Sequence, residues 1–195
     1  MLKKDIKNRL EEIKRSNIQL QRIIEYLDYA KIEYGIVGGF IKDCILKKNT
    51  SRDIDIIVDA EPEFLKRMIK DLSFFYSMNS CKGYKINNID IWCLSEHLPF
   101  KAGLFKPKWK NIPYSSWLSI MGAVYLPRKN KLILGKLKRT LKKKHIKMYC
   151  PKKFFNSEVP NKKLLIIKLN DYILEGYSID SNLQKFMKED IKEES

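Results

Sequence analysis

Arg52-Asp53-Ile54-Asp55-Ile56-Ile57-Val58 sets two carboxylates two residues apart at the head of an apolar run. In an extended strand, residues i and i+2 project from the same face. Asp53 and Asp55 then stand side by side, while Ile54 and Ile56 turn the other way, into a core. Adjacent carboxylates repel unless a cation or a proton neutralises one of them, and aspartate is disfavoured in strands. The pattern points to a hard cation such as Mg²⁺, shared between two carboxylates and the phosphates of a substrate.

A partner for that pair lies upstream, in Tyr34-Gly35-Ile36-Val37-Gly38-Gly39-Phe40-Ile41-Lys42-Asp43. An apolar strand runs into two glycines and directly into a helix. Glycine turns tightly and leaves room for a ligand. The helix start offers free N–H groups to phosphates, and Lys42 adds a full charge one turn in. A third carboxylate, Asp90, sits in Ile89-Asp90-Ile91-Trp92. If that segment pairs beside the Asp53 strand, Asp90 joins the cluster. Three carboxylates and a glycine turn are the parts of a two-metal phosphoryl-transfer centre. One metal activates an attacking hydroxyl and the other holds a triphosphate. Asp90 is then a metal ligand or the base toward the hydroxyl.

These side chains need elements to position them. Ile6, Leu10, Ile13, Asn17, Leu20, Ile24 and Leu27 recur in steps of four and three, which predicts one long helix over 3–29 with a single polar interruption. Strands are expected at 34–37 and 54–58, with helices over 40–47 and from 61 to about 71. A hairpin of 74–78 against 84–94 turns near Cys81-Lys82-Gly83. Further on, strands are expected at 114–120, 123–126 and 131–134, with Arg128-Lys129-Asn130 as a turn. A basic helix over 137–144, a short strand at 146–149, a helix from Pro160 to about Glu175 and a last helix over 179–192 complete the reading.

GGFIKD followed after a short gap by DID resembles the head domain of tRNA nucleotidyltransferases and bacterial poly(A) polymerases. That family lies within the DNA polymerase β-like nucleotidyltransferases. Gly38, Gly39, Ile41, Asp43, Asp53 and Asp55 match its pattern, and Asp90 resembles its third carboxylate. Lys42 stands where the family usually has Arg, which keeps the charge and drops a bidentate phosphate fork. The likeness covers residues 30–95. The downstream Glu-Asp-x-x-Arg and HD-type motifs of larger members are absent, which implies a minimal form. The resemblance implies an α+β fold: a nucleotidyltransferase-type small mixed sheet with flanking helices, plus a basic β/α extension and C-terminal helices. Residues 1–95 would hold the N-terminal helix and catalytic core, and 96–195 the extension packed on it. It also implies Asp53, Asp55 and Asp90 as catalytic residues and metal ligands for two Mg²⁺, with Mn²⁺ as a substitute. Gly38, Gly39, Lys42 and Arg52 would surround the NTP substrate.

The charge of the chain speaks to the acceptor. The net charge is +16. Between Glu96 and Glu158 there are 16 Lys and Arg and no Asp or Glu, while the remainder carries 23 of each sign and is neutral. A solvated surface normally mixes signs, so a single-sign stretch points to a polyanion. Lys138, Arg139, Lys142, Lys143 and Lys144, on one predicted helix, are the expected phosphate contacts. RNA is therefore the expected partner and an RNA 3′ hydroxyl the expected acceptor, tRNA among them. A protein or small-molecule acceptor and an inactive RNA-binding module are the alternatives. The four cysteines form no CxxC pair and the two histidines, His97 and His145, are isolated, which argues against zinc. Nothing reads as a signal peptide or membrane span, so a cytoplasmic setting is expected. Oligomeric state is left open.

Overall fold

The computed structural model describes residues 2–48, 53–158 and 162–193. The helix expected over 3–29 is two helices, α1 (Leu2–Ser16) and α2 (Ile18–Tyr29). Asn17, the polar interruption, is the break. Its backbone is extended and its Oδ1 accepts the Leu20 N–H at 2.9 Å, which caps α2. A residue in N-cap geometry cannot also continue the helix before it. Asn17 Nδ2 also donates to Asn88 Oδ1 at 3.2 Å, tying α2 to the sheet. The apolar seam survives the break: Ile6, Leu10, Leu20, Ile24 and Leu27 are all buried.

β1 (Tyr34–Val37), α3 (Gly39–Ile45), β2 (Ile54–Val58) and α4 (Pro62–Leu72) follow in the expected order. Next come β3 (Ser77–Met78), β4 (Tyr84–Ile86) and β5 (Ile89–Cys93). The arm expected to run unbroken over 84–94 instead folds back at Asn87-Asn88, with Asn87 at φ 53°. Asparagine tolerates this left-handed backbone better than most residues. The fold-back pairs β4 antiparallel to β5 and frees the other edge of β5 for β2.

α5 (Leu98–Lys101) and α6 (Ile112–Ser115) are short. The strand expected over 114–120 does not form. Pro113 sits in the first turn of α6, where its fixed φ favours a helical start. A 3-10 turn then takes Ser119–Met121. β6 (Ala123–Leu126) and β7 (Lys131–Leu134) form the expected hairpin. α7 (Leu137–Lys143) is the basic helix. The strand expected at 146–149 is reduced to β8 (His145–Ile146). α8 (Lys152–Glu158), α9 (Lys162–Leu174), β9 (Ser178–Ile179) and α10 (Ser181–Glu193) complete the chain. Pro160, the expected start of α9, lies outside the described residues; α9 stops just before Gly176 at φ 84°. Ile179 belongs to β9 rather than to the last helix. Asp180 Oδ1 accepts the Leu183 N–H at 3.0 Å, so α10 begins after it.

The main sheet has seven strands in the order β3-β4-β5-β2-β1-β6-β7, and β8 pairs with β9 separately. Within the main sheet only β2 and β5 run parallel. Strand alternation divides the sheet into two faces. Ile36, Ile54, Ile56, Ile89, Ile91 and Tyr125 enter the larger core with α1, α2 and α4. Val37, Ile57, Trp92, Val124 and Leu126 form a smaller cluster with Phe100 and Ile112 on the other face. By the same alternation, Asp55 and Asp90 share that second face with Ile57 and Trp92. Among the described residues no helix is long and apolar enough to cross a membrane.

Candidate active site

The parallel register of β2 on β5 pairs Asp55 with Asp90. The antiparallel register of β1 on β2 pairs Val37 with Asp55. Gly38, the next residue, therefore turns directly beside the Asp55 carboxylate. Gly38 has φ 72° and ψ −143°, a conformation open to glycine and costly for other residues. A Cβ built on Gly38 would overlap Oδ2 of Asp55. Gly39 differs, because a Cβ there would meet nothing within 4 Å. Asp53 directly precedes β2 and is exposed. Arg52 lies outside the described residues.

Burial, then the charge of Asp90, then that of Asp53 push the Asp55 carboxyl up to about 7; Lys168 and Lys85 act in the opposite direction. Asp90 Oδ2 lies 3.1 Å from Lys85 Nζ. Asp90 Oδ1 accepts from Asn79 Nδ2 at 3.4 Å. Asn79 Oδ1 in turn accepts the N–H groups of Cys81 at 3.0 Å and Gly83 at 2.8 Å, which fixes the β3–β4 loop against the carboxylate. Lys42 Nζ lies 3.1 Å from Asp43 Oδ1 and donates to the Tyr172 hydroxyl at 3.1 Å. Burial alone would lower the Lys42 ammonium, but Tyr172 and Asp43 outweigh it and hold it above its usual value.

Two clefts of different character meet at these residues. The first, about 340 Å³, is walled by Trp92, His97, Ile112 and Trp117 and reaches Asp90. The second, about 330 Å³, is lined by Gly39, Lys42, Lys48, Asp53, Tyr172 and Glu175, among others. Gly38, Asp55, Met121 and Lys168 line both. The carboxylates divide accordingly: Asp90 borders only the aromatic cleft, Asp53 only the polar one, and Asp55 both.

Lys138, Arg139, Lys142, Lys143 and Lys144 line neither cleft. They lie on α7 and its C-cap, where Lys144 has φ 44° and its Nζ donates to the Glu175 carbonyl at 3.2 Å. Lys168, Met121, Trp92 and His97 carry no local signal in the sequence. Lys168 is one of many lysines, and only the docking of α9 brings it to Asp55. His97 Nε2 lies 2.9 Å from Ser115 Oγ, and that hydroxyl donates to the Ile112 carbonyl at 3.1 Å. The network therefore assigns the proton to Nε2, with the ring donating to Ser115. Burial pushes His97 down to about 4. Ser115 is thus a structural acceptor, and nothing in the pair activates a nucleophile.

The donor chemistry suits a hard divalent cation: Asp55 lies between Asp90 on one side and Asp53 on the other, and the charge of each contributes to the raised value at Asp55. In the arrangement seen, Lys85 occupies Asp90, and among the described residues no three His, Cys, Asp or Glu side chains group closely enough to hold a metal ion. Ligation by all three would require Asp90 to exchange Lys85 for the ion.

Comparison with known proteins agrees with this geometry. Residues 34–100 match the model of the poly A polymerase head domain. No curated protein matches the sequence. Among solved structures, the Thermotoga maritima CCA-adding enzyme complexed with tRNA is 19% identical, with a TM-score of 0.61 over 90% of this chain and 42% of that one. A CCA-adding enzyme complexed with CTP is 18% identical, with a TM-score of 0.62 over 96% of this chain and 46% of the other. A tRNA-processing enzyme in an apo form is 18% identical, with a TM-score of 0.56 over 94% and 47%. The chain spans less than half the length of these structures, and at this identity the likeness establishes the fold. The α+β fold is that of the corresponding part of CCA-adding enzymes, and within it residues 34–100 are similar to the poly A polymerase head domain.

Proposed function

We propose that the protein moves a nucleoside monophosphate from an NTP to the 3′ hydroxyl of an RNA, with release of pyrophosphate, in a Mg²⁺-dependent reaction. The observation that carries this reading is the β2–β5 register, which sets Asp55 beside Asp90 at the Gly38 turn where two clefts meet. The polar cleft suits the triphosphate. Gly39 leaves it open, and Lys42, Lys48 and Lys168 supply positive charge. The aromatic cleft suits the last nucleoside of the acceptor, because bases stack on aromatic walls and Asp90 borders that side alone. A bound Mg²⁺ held by Asp53, Asp55 and Asp90 would lower the pKa of the attacking hydroxyl and neutralise charge on the triphosphate.

RNA as acceptor is supported by the acid-free stretch between Glu96 and Glu158. The fold relatives supply a second support, since one of them is described with tRNA and others with ATP and CTP. In this reading residues 1–95 provide the catalytic core and 96–195 the extension that meets the RNA. The test is to incubate the protein with Mg²⁺, each labelled NTP and total RNA. The expected label is on RNA 3′ ends, and it disappears with Asp53→Ala or Asp55→Ala. Label on protein or on a small molecule would replace the RNA acceptor. RNA binding without transfer would replace the enzyme reading with that of a binding module.

A further inference from the structure

A third cavity, separate from both clefts, encloses about 160 Å³. Lys136, Arg139, Lys143, His145 and Lys147 line it together with Ser119 and Thr140, and no carboxylate is among them. Near the clefts, Lys42 is paired with Asp43, Lys48 with Glu175 and Lys85 with Asp90. Among the described residues, no ion pair engages Lys136, Arg139, Lys143 or Lys147. Like charges brought to one small concavity repel. The arrangement is favoured when an anion occupies it.

The floor of the cavity gives a second, independent indication. Ser119 and Thr140 are buried, at 1% and 4% exposure. Thr140 Oγ1 donates to Ser119 Oγ at 2.8 Å, and Ser119 Oγ also accepts the Lys147 N–H at 2.9 Å. The two hydroxyls own two hydrogens, and the bond between them uses one. The other has no acceptor among the described residues. Both residues line the cavity, so that hydrogen is available to an oxygen of a bound anion. An anion seated here would accept that hydrogen on one side and face four cationic side chains on the others.

We propose that this cavity is a phosphate subsite, and that its occupant is one backbone phosphodiester of the acceptor RNA. The choice of RNA rests on the function proposed above. Position supports it. Ser119 opens the 3-10 turn whose last residue, Met121, lines both clefts, and Trp117, two residues before Ser119, walls the aromatic one. One segment, 117–121, therefore borders the cleft for the terminal nucleoside and the basic cavity. A strand with its end in the first can place an earlier phosphate in the second. The proposal also divides the basic helix: Arg139 and Lys143 enter the cavity, and Lys138 and Lys142 do not.

The test uses the whole 195-residue chain and a fluorescent single-stranded RNA, with binding read by anisotropy against salt. Arg139 and Lys143 are exposed, so Arg139→Gln with Lys143→Gln should leave the fold intact, as a melting curve checks. A control removes equal charge from α1, as Lys3→Gln with Lys4→Gln. Each neutralised phosphate contact on a single strand lowers the salt slope by roughly 0.7. The subsite pair should lose about tenfold in affinity and flatten the slope, and the control should lose little. Ser119→Ala, which removes the hydroxyl hydrogen left for the anion, should weaken binding in the same direction. RNA carrying one neutral methylphosphonate, moved along the strand, should show one position that weakens wild-type binding and has no effect in the subsite pair. Equal losses in both pairs with no coupled position would overturn the subsite while leaving RNA transfer standing. Absence of RNA binding by the wild type would instead overturn the RNA reading. Inorganic phosphate that binds and is not displaced by RNA would identify a free-phosphate site and overturn the backbone assignment.

Discussion

Gly38 is the residue against which the Asp55 carboxylate packs: a Cβ at position 38 would overlap Asp55 Oδ2. Two demands meet there, a positive φ and the absence of a side chain. Gly39 faces open space and carries neither demand. Gly38→Ala should therefore destabilise the protein by roughly 1–3 kcal/mol and abolish transfer by displacing Asp55. Gly39→Ala should change stability little and raise the KM for NTP by narrowing the polar cleft. Melting curves and steady-state kinetics on the two variants check this, and equal behaviour of the pair would contradict it.

Lys85 Nζ lies 3.1 Å from Asp90 Oδ2. On the proposed function, Lys85→Met should free Asp90 and lower the Mg²⁺ concentration needed for half-maximal transfer several-fold. A titration of activity with Mg²⁺ reads this directly. An unchanged or raised requirement would show that Lys85 does not compete with the ion.

His97 gives a pH dependence of defined sign. Burial lowers its pKa to about 4 from the usual 6.5. Its contribution to stability is full above pH 6.5 and is lost as pH falls toward 4, because the unfolded chain binds the proton more readily. His97→Gln keeps an N–H donor for Ser115 and does not titrate. Wild type should lose more stability than this variant between pH 6.5 and 4, by on the order of 3 kcal/mol. Parallel stability curves for the two proteins would refute the assignment.

Asn17 does two jobs, capping α2 and holding Asn88. Asn17→Ala should cost about 1 kcal/mol for the cap, with a further loss from the broken tie to the β4–β5 turn. Asn17→Asp keeps the capping acceptor and removes the donor to Asn88, so chemical denaturation of the two variants separates the terms.

The parts of the site that rely on local pattern were legible in the sequence. The alternation around Asp53 and Asp55 and the glycines after 37 each depend on a few neighbouring residues, and strand period carries them. Asp90 was legible only on the condition that its strand lay beside β2, which the fold-back at Asn87-Asn88 brings about. That turn was hidden because Asn-Asn interrupts an otherwise apolar run without glycine or proline. The stretch 114–120 was misleading for a different reason. Its aromatic and apolar residues suit a strand, but Pro113 commits the chain to a helical turn first. Lys168, Met121 and Trp117 reach the clefts from distant segments, so no spacing rule could join them to Asp55. The basic stretch was visible as charge, but the difference between Arg139 and its neighbour Lys138 is visible only in the folded cavity.

On the proposed function, Asp53, Asp55 and Asp90 act as one reaction centre. The most direct test is the rate of labelled NMP incorporation into RNA, in Mg²⁺, for Asp55→Ala and Asp90→Ala singly and together. Groups that act as a unit are strongly non-additive. Each single variant should lose about a thousandfold or more in rate, the double should be no worse than the weaker single, and RNA affinity should stay within a few-fold. Incorporation that persists in Asp55→Ala, or losses that multiply in the double variant, would contradict the account.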